Sequence, residues 1–567
     1  MPVCARIAGW RAGFEATVER SSTSAANHSR TPGSRGTRGY PFGRARGMSR
    51  GSHRSVEGRH CFRYNRPGPT DMLTRDMFTR ILAILLLFLP PGSGQTAGKT
   101  VAGIRGSQFT INGQPSYTPA SGFPSANSNL AGTLLNVRAV QAIFDDANYP
   151  GQGSRLHPYQ SNTLGPIFWD YPAGAWDPER NVREFLEALP DWRRCGLLAF
   201  TVNLQGGGPP DGNYGEKVSL QPHNNSGFDP QGNLKPAYAG RLRRAIAEAD
   251  RLGMVVIVGF FYFGSNERIQ ITPDDRYVKE AIVEGCRFLK SLPHRNILIE
   301  INNETNATSY KHRILQPNGA LDAVVLAQQT VERQIPVSMS WSGGIMPRGS
   351  RGEAAMRAVD YVMFHTNGQT PEEVHQSIQA MRRWLGYDRP VIINEDGVST
   401  FNLHAAVQEH VGWGYYDNGL SNYRDGFQAP PVNWKINTPV KWQFFEQVAR
   451  LTGSPIPPKP EYNADDTPEI DLAGLKPGQI LKEPVWIEAI VKDRHPRWPI
   501  KRVEFFIDGA PYSYRKNAPY LPNNQEWWDM SDVAAGNHVL RVVAYDQRGP
   551  RFTELCSMVE VPFTVEK

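Results

Sequence analysis

Unbroken apolar, β-branched runs alternate with amphipathic stretches across residues 134–451, and few folds accept that pattern. Runs fall at 196–203, 254–261, 297–301, 335–341, 361–365, 391–394 and 412–416. Another lies within 134–144, where Arg138 leaves its boundaries open. A short run that is apolar throughout reads as a strand buried on both faces, as in parallel sheets. Between the runs, 184–194, 242–252, 274–289, 321–333, 371–385, 403–411 and 441–451 carry helical spacing, and Gly253 is a stop signal for the second of these. About eight strand–helix units over about 350 residues predict a (β/α)8 TIM barrel over 99–454. The competitor, a doubly wound open sheet, usually shows a glycine-rich phosphate turn entering a helix. Gly206, Gly207 and Gly208 do follow a strand, but they run into Pro209 and Pro210 without a lysine, and read as a loop.

The first 71 residues differ in kind. They hold 13 Arg, no Lys and four acids among many Gly, Ser and Pro, with no apolar periodicity, so a disordered segment is expected. From Met72 the pattern changes to Arg75 and Arg80, an apolar run at 81–89 and a small-residue exit at 90–94. That is the form of a secretory signal peptide, 72–98, too short to span a bilayer. A start at Met72 or Met77 is therefore expected, with a basic tail ahead of a membrane anchor as the alternative. Without these segments, 47 basic residues face 50 acidic ones. The basic balance of the whole chain thus belongs to its first residues, and no clustered basic face argues for nucleic acid. Cys195, Cys286 and Cys556 lack metal-ligand spacing and are expected as buried free thiols.

Two of the apolar runs end in an Asn-Glu pair: 296–304 (NILIEINNE) closes on Asn303 and Glu304, and 390–395 (PVIINE) on Asn394 and Glu395. Carboxyl ends of barrel strands are where catalytic groups sit. Two carboxylates facing one pocket are the minimum equipment for glycoside hydrolysis, one donating a proton to the leaving oxygen and the other attacking the anomeric carbon. An asparagine beside such a glutamate can bond a sugar hydroxyl near the reacting carbon. A glutamate at a strand end is by itself most often solvated or salt-bridged; the repetition of the pair is what points to chemistry. Glu300 lies inside its strand and is expected to pair with a buried arginine such as Arg138, while Asp396 is read as structural or substrate-binding.

At these residues the chain resembles the clan of retaining glycoside hydrolases with (β/α)8 barrels, of cellulase and mannanase type. That clan carries Asn-Glu at the end of its fourth strand and Glu at the end of its seventh. The resemblance implies Glu304 as acid/base, Glu395 as nucleophile and Asn303 as a hydroxyl ligand. The clan often has His-x-Tyr on its sixth strand; here His365 matches, but Asn367 stands where the tyrosine would be. Strand-end position further nominates His365 and Asn203 for substrate contact. Sugar rings stack on aromatic faces, which nominates Trp341, Trp413, Tyr262 and Trp434. No His/Asp/Glu cluster has metal spacing, so neither a catalytic metal nor a cofactor is expected.

Residues 455–468 are proline-rich and read as a stiff linker. Beyond them, 469–567 alternate with period two, with turn signals at Asp508-Gly509 and 535–537, so a small all-β sandwich is expected. The stretches 500–509, 518–520, 535–538 and 544–549 resemble a bacterial immunoglobulin-like domain, which implies a spacer or accessory module; a sugar-binding role there would use Trp527 and Trp528. The combined expectation is a secreted or periplasmic enzyme acting on an oligo- or polysaccharide, with no nucleic acid partner and no stable membrane insertion. A catalytically inactive carbohydrate-binding or cell-surface protein on the same fold is the alternative. A barrel hydrolase acting on a non-sugar ester or amide is a third reading.

Overall fold

The computed structural model describes residues 98–145, 170–206, 225–263, 274–344, 351–386, 388–462, 467–494, 499–524, 526–547 and 553–567. The chain divides into two compact units, Met1–Pro90 and Pro91–Lys567, and every described residue belongs to the second. The expected basic segment, 72–97 of the leader and the triple-glycine loop beyond Gly206 lie outside the described residues. Among the described residues no helix is long and apolar enough to cross a membrane.

Eight strands form one parallel sheet: β1 Asn136–Arg138, β2 Ala199–Asn203, β3 Val255–Phe261, β4 Ile297–Asn302, β5 Val337–Ser338, β6 Val362–His365, β7 Val391–Glu395 and β8 Gly412–Tyr415. Their order is β5-β4-β3-β2-β1-β8-β7-β6. The chain therefore winds once around, and β8 returns to pair with β1. The β5–β6 seam lacks a ladder but is crossed by single backbone bonds, Asp360 N to Val337 O at 2.9 Å and His365 N to Trp341 O at 2.8 Å. This is the expected (β/α)8 barrel. The strands are buried throughout, and each buried Val, Leu or Ile side chain contributes about 1.5–3 kcal/mol by leaving water.

The helices are α1 Pro178–Arg194, α2 Pro236–Leu252, α3 Asp275–Ser291, α4 Ala320–Thr330, α5 Arg351–Ala358, α6 Pro371–Leu385, α7 Thr400–Gln408 and α8 Pro439–Thr452. Several begin earlier than their apolar spacing predicts, because proline at the first helical position starts them. Pro178, Pro236 and Pro439 occupy that position, where a missing N–H costs no helical bond. Gly253 ends α2 at φ 73°, the left-handed stop its sequence position promises. A three-stranded antiparallel ribbon, Ala102–Arg105, Gln108–Ile111 and Gln114–Pro115, is tied by Ala102 N to Arg295 O at 2.9 Å. It covers the barrel at the amino ends of the strands, opposite the catalytic candidates.

The C-terminal part is all-β, as expected. A two-stranded sheet joins β9 Glu469–Ala473 to β11 Glu488–Lys492. A five-stranded sheet holds β10 Gln479–Leu481, β12 Ile500–Ile507, β13 Ala510–Arg515, β14 Gly536–Gln547 and β15 Glu554–Val565, in the order β10-β15-β14-β12-β13. Asp508 and Gly509, at φ 52° and 78°, make the turn between β12 and β13. Trp528 is buried in this sandwich, whereas Trp527 is 61 % exposed. Phe506, Val543, Tyr545 and Cys556 of this part belong to the hydrophobic core of the barrel. Cys195, Cys286 and Cys556 are free and buried.

Candidate active site

Arg138 is the hub of the charge arrangement inside the barrel. It ends β1, is fully buried, and is forked between two strands. Nη1 pairs with Glu300 Oε2 of β4 at 3.0 Å, and Nη2 with Glu395 Oε2 of β7 at 3.0 Å. Nη2 also donates to Asn303 Oδ1 at 2.7 Å. Glu300 accepts a further bond from Asn394 Nδ2 at 3.3 Å. An arginine buried in the barrel interior requires carboxylate partners, and Glu300 is the partner its sequence position suggested.

Glu304 and Glu395 are brought together around His365. The Nδ1 atom of His365 lies 3.0 Å from Glu304 Oε1 and 3.9 Å from Glu395 Oε2. One carboxylate oxygen from each glutamate and a His365 nitrogen all fall within 4.8 Å of one another. A register shift between Phe364 and His365 sets His365 opposite Glu395 across the β6–β7 ladder, the re-aiming of a side chain that a β-bulge produces. Asn367 donates Nδ2 to Glu395 Oε1 at 3.2 Å and to the Asp396 carbonyl at 2.6 Å.

Glu304 occupies the left-handed region, φ 49°, where a non-glycine side chain costs about 1–3 kcal/mol. The loop over-determines it. Its amide donates to Ser340 Oγ at 2.9 Å, Thr305 N donates to Ser340 O at 2.8 Å, and Tyr310 Oη donates to the Asn303 carbonyl at 2.6 Å. Strain held this firmly marks Glu304 off from a solvated surface glutamate.

The remaining nominated residues fall into two sets. Tyr262, just past β3, is buried; its phenol is held well above the usual range by burial and then by the charge of Glu395. Trp341 follows β5 at 2 % exposure, and its indole N–H has no partner among the described residues. Asn203 ends β2 with its amide against Gly259 of β3, where a Cβ would sit 2.4 Å from Asn203 Oδ1; both its amide atoms are buried without a partner among the described residues. Trp413 faces the helix layer, its ring against Phe444 of α8 and its Nε1 donating to Asp396 Oδ2 at 2.9 Å. Trp434 packs on Phe185, Trp192 and Phe427 and donates to Asn181 Oδ1 at 3.0 Å. Neither of these two rings is brought to the carboxylates. Residues the nominations omitted are Arg138, Asn367, Ser340 and Tyr310.

Burial pushes the Glu395 carboxyl up, and repulsion from Glu304 and Glu300 adds to it, while His365 and Arg138 oppose. His365 is also raised: burial alone would lower it, but the charge of Glu395 and the bond to Glu304 outweigh burial. Glu395 and His365, each shifted by the charge of the other, do not titrate independently. Glu304, His365 and Glu395 are also near enough to ligate a cation. The Arg138 guanidinium already faces Glu395 Oε2, so a metal there would meet a fixed positive charge.

Asp396 is pushed up to about 7, chiefly by burial, against the donors of Asn402 and Trp413. An acid whose folded pKa exceeds its unfolded value of 3.8 takes up a proton on folding, so stability declines as pH rises between about 4 and 7. Asp396→Asn is expected to remove that decline. In thermal melts the variant should unfold at a higher temperature than the parent at pH 8, the gap closing by pH 4. Parallel melting curves for the two across this range would show that Asp396 ionises without cost.

No family model matches the chain, and no curated protein does. Among solved structures it is similar to the endo-β-1,4-mannanase from Thermotoga petrophila, at 15% identity over 68% of this chain and 95% of that one, TM-score 0.33. It is also similar to the β-mannanase of the blue mussel Mytilus edulis, at 11% identity over 56% and 91%, TM-score 0.35. A glycoside hydrolase family 5 enzyme from Prevotella bryantii B14 aligns at 12% identity over 60% and 98%, TM-score 0.36. Likenesses of this degree decide nothing about activity, and the barrel itself stands on its own strand order.

Proposed function

We propose that the chain is a secreted glycoside hydrolase that cleaves O-glycosidic bonds of an oligo- or polysaccharide with retention of configuration. The carrying observation is the meeting of Glu304 and Glu395 around His365, with carboxylate oxygens within 4.8 Å, at the carboxyl ends of β4 and β7. Retaining enzymes set their two carboxyl groups about 5–5.5 Å apart, whereas inverting enzymes leave about 6.5–9.5 Å for a water. The close pair supports the retaining course.

The asymmetry of partners supports the division of roles. Glu395 faces a guanidinium on one oxygen and accepts an amide hydrogen on the other; both support its ionised, nucleophilic form against the burial and like charges that raise it. Glu304 has His365 beside it, a group able to hold or return the proton it exchanges. In the first step Glu395 forms a bond to the anomeric carbon as Glu304 protonates the departing oxygen. In the second, Glu304 takes a proton from water as that water displaces Glu395. Asn303, Asn203, Trp341 and Tyr262 stand near the pair or at strand ends as substrate contacts, and the residues require no cofactor for this chemistry.

Glu304→Ala tests the proposal. Against substrates with poor leaving groups, turnover should fall about 10²–10⁴-fold, the usual worth of a positioned general acid. With a strongly activated aryl leaving group the first step should survive. Equal losses across leaving groups would remove Glu304 from the role of acid.

A further inference from the structure

The C-terminal sandwich reaches the loop that follows Glu395. Ser399 occupies the N-cap of α7, yet its hydroxyl makes no capping bond to that helix. It donates instead to Glu504 Oε1 of β12 at 2.8 Å. Glu504 is fully buried and pairs with Arg502 at 2.7 Å. Arg502 in turn pairs with Glu554 of β15 and lies 3.8 Å over the Tyr545 ring. Two residues beyond Ser399, Phe401 packs edge-on against Phe506 at 5.4 Å and tilted against Tyr514 at 5.9 Å. The first turn of α7 is thus held from the sandwich by one hydrogen bond and two rings.

The same turn holds the residue next to Glu395. Asn402 Nδ2 donates to Asp396 Oδ2 at 2.8 Å and to Gln369 O at 3.0 Å, and Trp413 closes on the same carboxylate oxygen. The Asp396 carbonyl accepts from Asn367, whose amide also reaches Glu395 Oε1. Buried and half-buried groups, joined by the α7 backbone between Ser399 and Asn402 and by the Asp396 carbonyl, therefore link the sandwich to the Glu395 carboxylate.

We infer that the C-terminal sandwich is a positioning element of the active site, with Ser399, Glu504 and Phe506 fixing α7 so that Asn402, Asp396 and Asn367 fix the direction of Glu395. The inference rests on the reading of Glu395 as nucleophile. It is more specific than a role in folding, because only part of the domain interface makes this connection. Thr553, for example, meets the barrel elsewhere, accepting from Asn418 Nδ2 at 3.1 Å and donating to Gly419 O at 3.3 Å.

Ser399→Ala, Phe506→Ala and Thr553→Val in the full chain separate the two roles. Deuterium exchange over 391–402 is read alongside kcat, KM and the pH profile on an activated aryl glycoside. Ser399→Ala should lower kcat about three- to tenfold, the worth of one net hydrogen bond. KM should stay within about twofold, with a displaced acid limb and faster exchange over 396–402. Phe506→Ala should act in the same direction, whereas Thr553→Val should lower the melting temperature alone. Unchanged exchange and kcat in the first two variants, or equal effects from Thr553→Val, would overturn the inference. If the parent turns over no glycoside but Ser399→Ala still loosens 396–402, the role of Glu395 falls while the mechanical link stands.

Discussion

Glu395→Ala is expected to reduce turnover on the order of 10⁴–10⁶-fold, the scale seen when a covalent nucleophile is removed. The loss should persist on activated aryl glycosides, because a better leaving group cannot replace the missing bond to the anomeric carbon. This separates it from Glu304→Ala, whose defect a good leaving group relieves. Folding should survive. Arg138 keeps Glu300 and Asn303 as partners, and the like-charge repulsion that raises Glu395 disappears with it. Initial rates on a panel of aryl glycosides, with a thermal melt of the same sample, check both halves. Turnover within tenfold of the parent from a folded Glu395→Ala protein would end the proposal that Glu395 forms the glycosyl bond.

Arg138→Met should be the most destabilising single change in the barrel interior. It leaves Glu300 and Glu395, both buried, without their shared cation. Stripping one partner from a buried ion pair costs about 3–5 kcal/mol. The deficit should shrink on acidification, because protonating the stranded carboxyls removes the charge that lacks compensation. Urea unfolding at pH 7 and at pH 4 measures this. A variant as stable as the parent at pH 7 would overturn the reading of Arg138 as the cation that compensates these buried carboxylates.

The barrel was legible because strands apolar on both faces alternate with amphipathic helices about eight times, with no phosphate-binding turn to suggest an open sheet. Where a strand departs from that rule, legibility drops. β5 shrinks from the expected 335–341 to Val337–Ser338; Pro336 has no N–H to offer a ladder, and Ser340 is turned to the Glu304 loop. The Asn-Glu endings located the carboxylates, since strand ends converge in a barrel. Tryptophan positions were harder. A one-residue change of register moves a side chain to the other face of a strand, and Trp413 on β8 faces the helices rather than the carboxylates. Trp434 sits in a long connection, where no periodicity says which way it points. Asn367 was visible only as a mismatch; its bond to Glu395 depends on the shifted register at His365. The proline-rich segment 455–468 read as a stiff linker. Yet Ser399 and Glu504, 105 residues apart in sequence, meet across a continuous core, and such a pairing leaves no local trace.

The return of β8 to β1 also governs the order in which this molecule can come into being. Asn136 must find Gly414, a contact of very high sequence separation, and such closures are entropically costly and late. Arg138 lies on the first strand, Glu300 and Glu304 at the fourth, and His365 and Glu395 on the sixth and seventh. A nascent chain holding β1 to β5 already contains the arginine and two of the carboxylates, but not Glu395 or His365. Glu300 can therefore pair with Arg138 while the barrel is still half built, whereas Glu395 and His365 join them only with β6 and β7, so the ion pair that steadies the interior comes first and the facing glutamates come last.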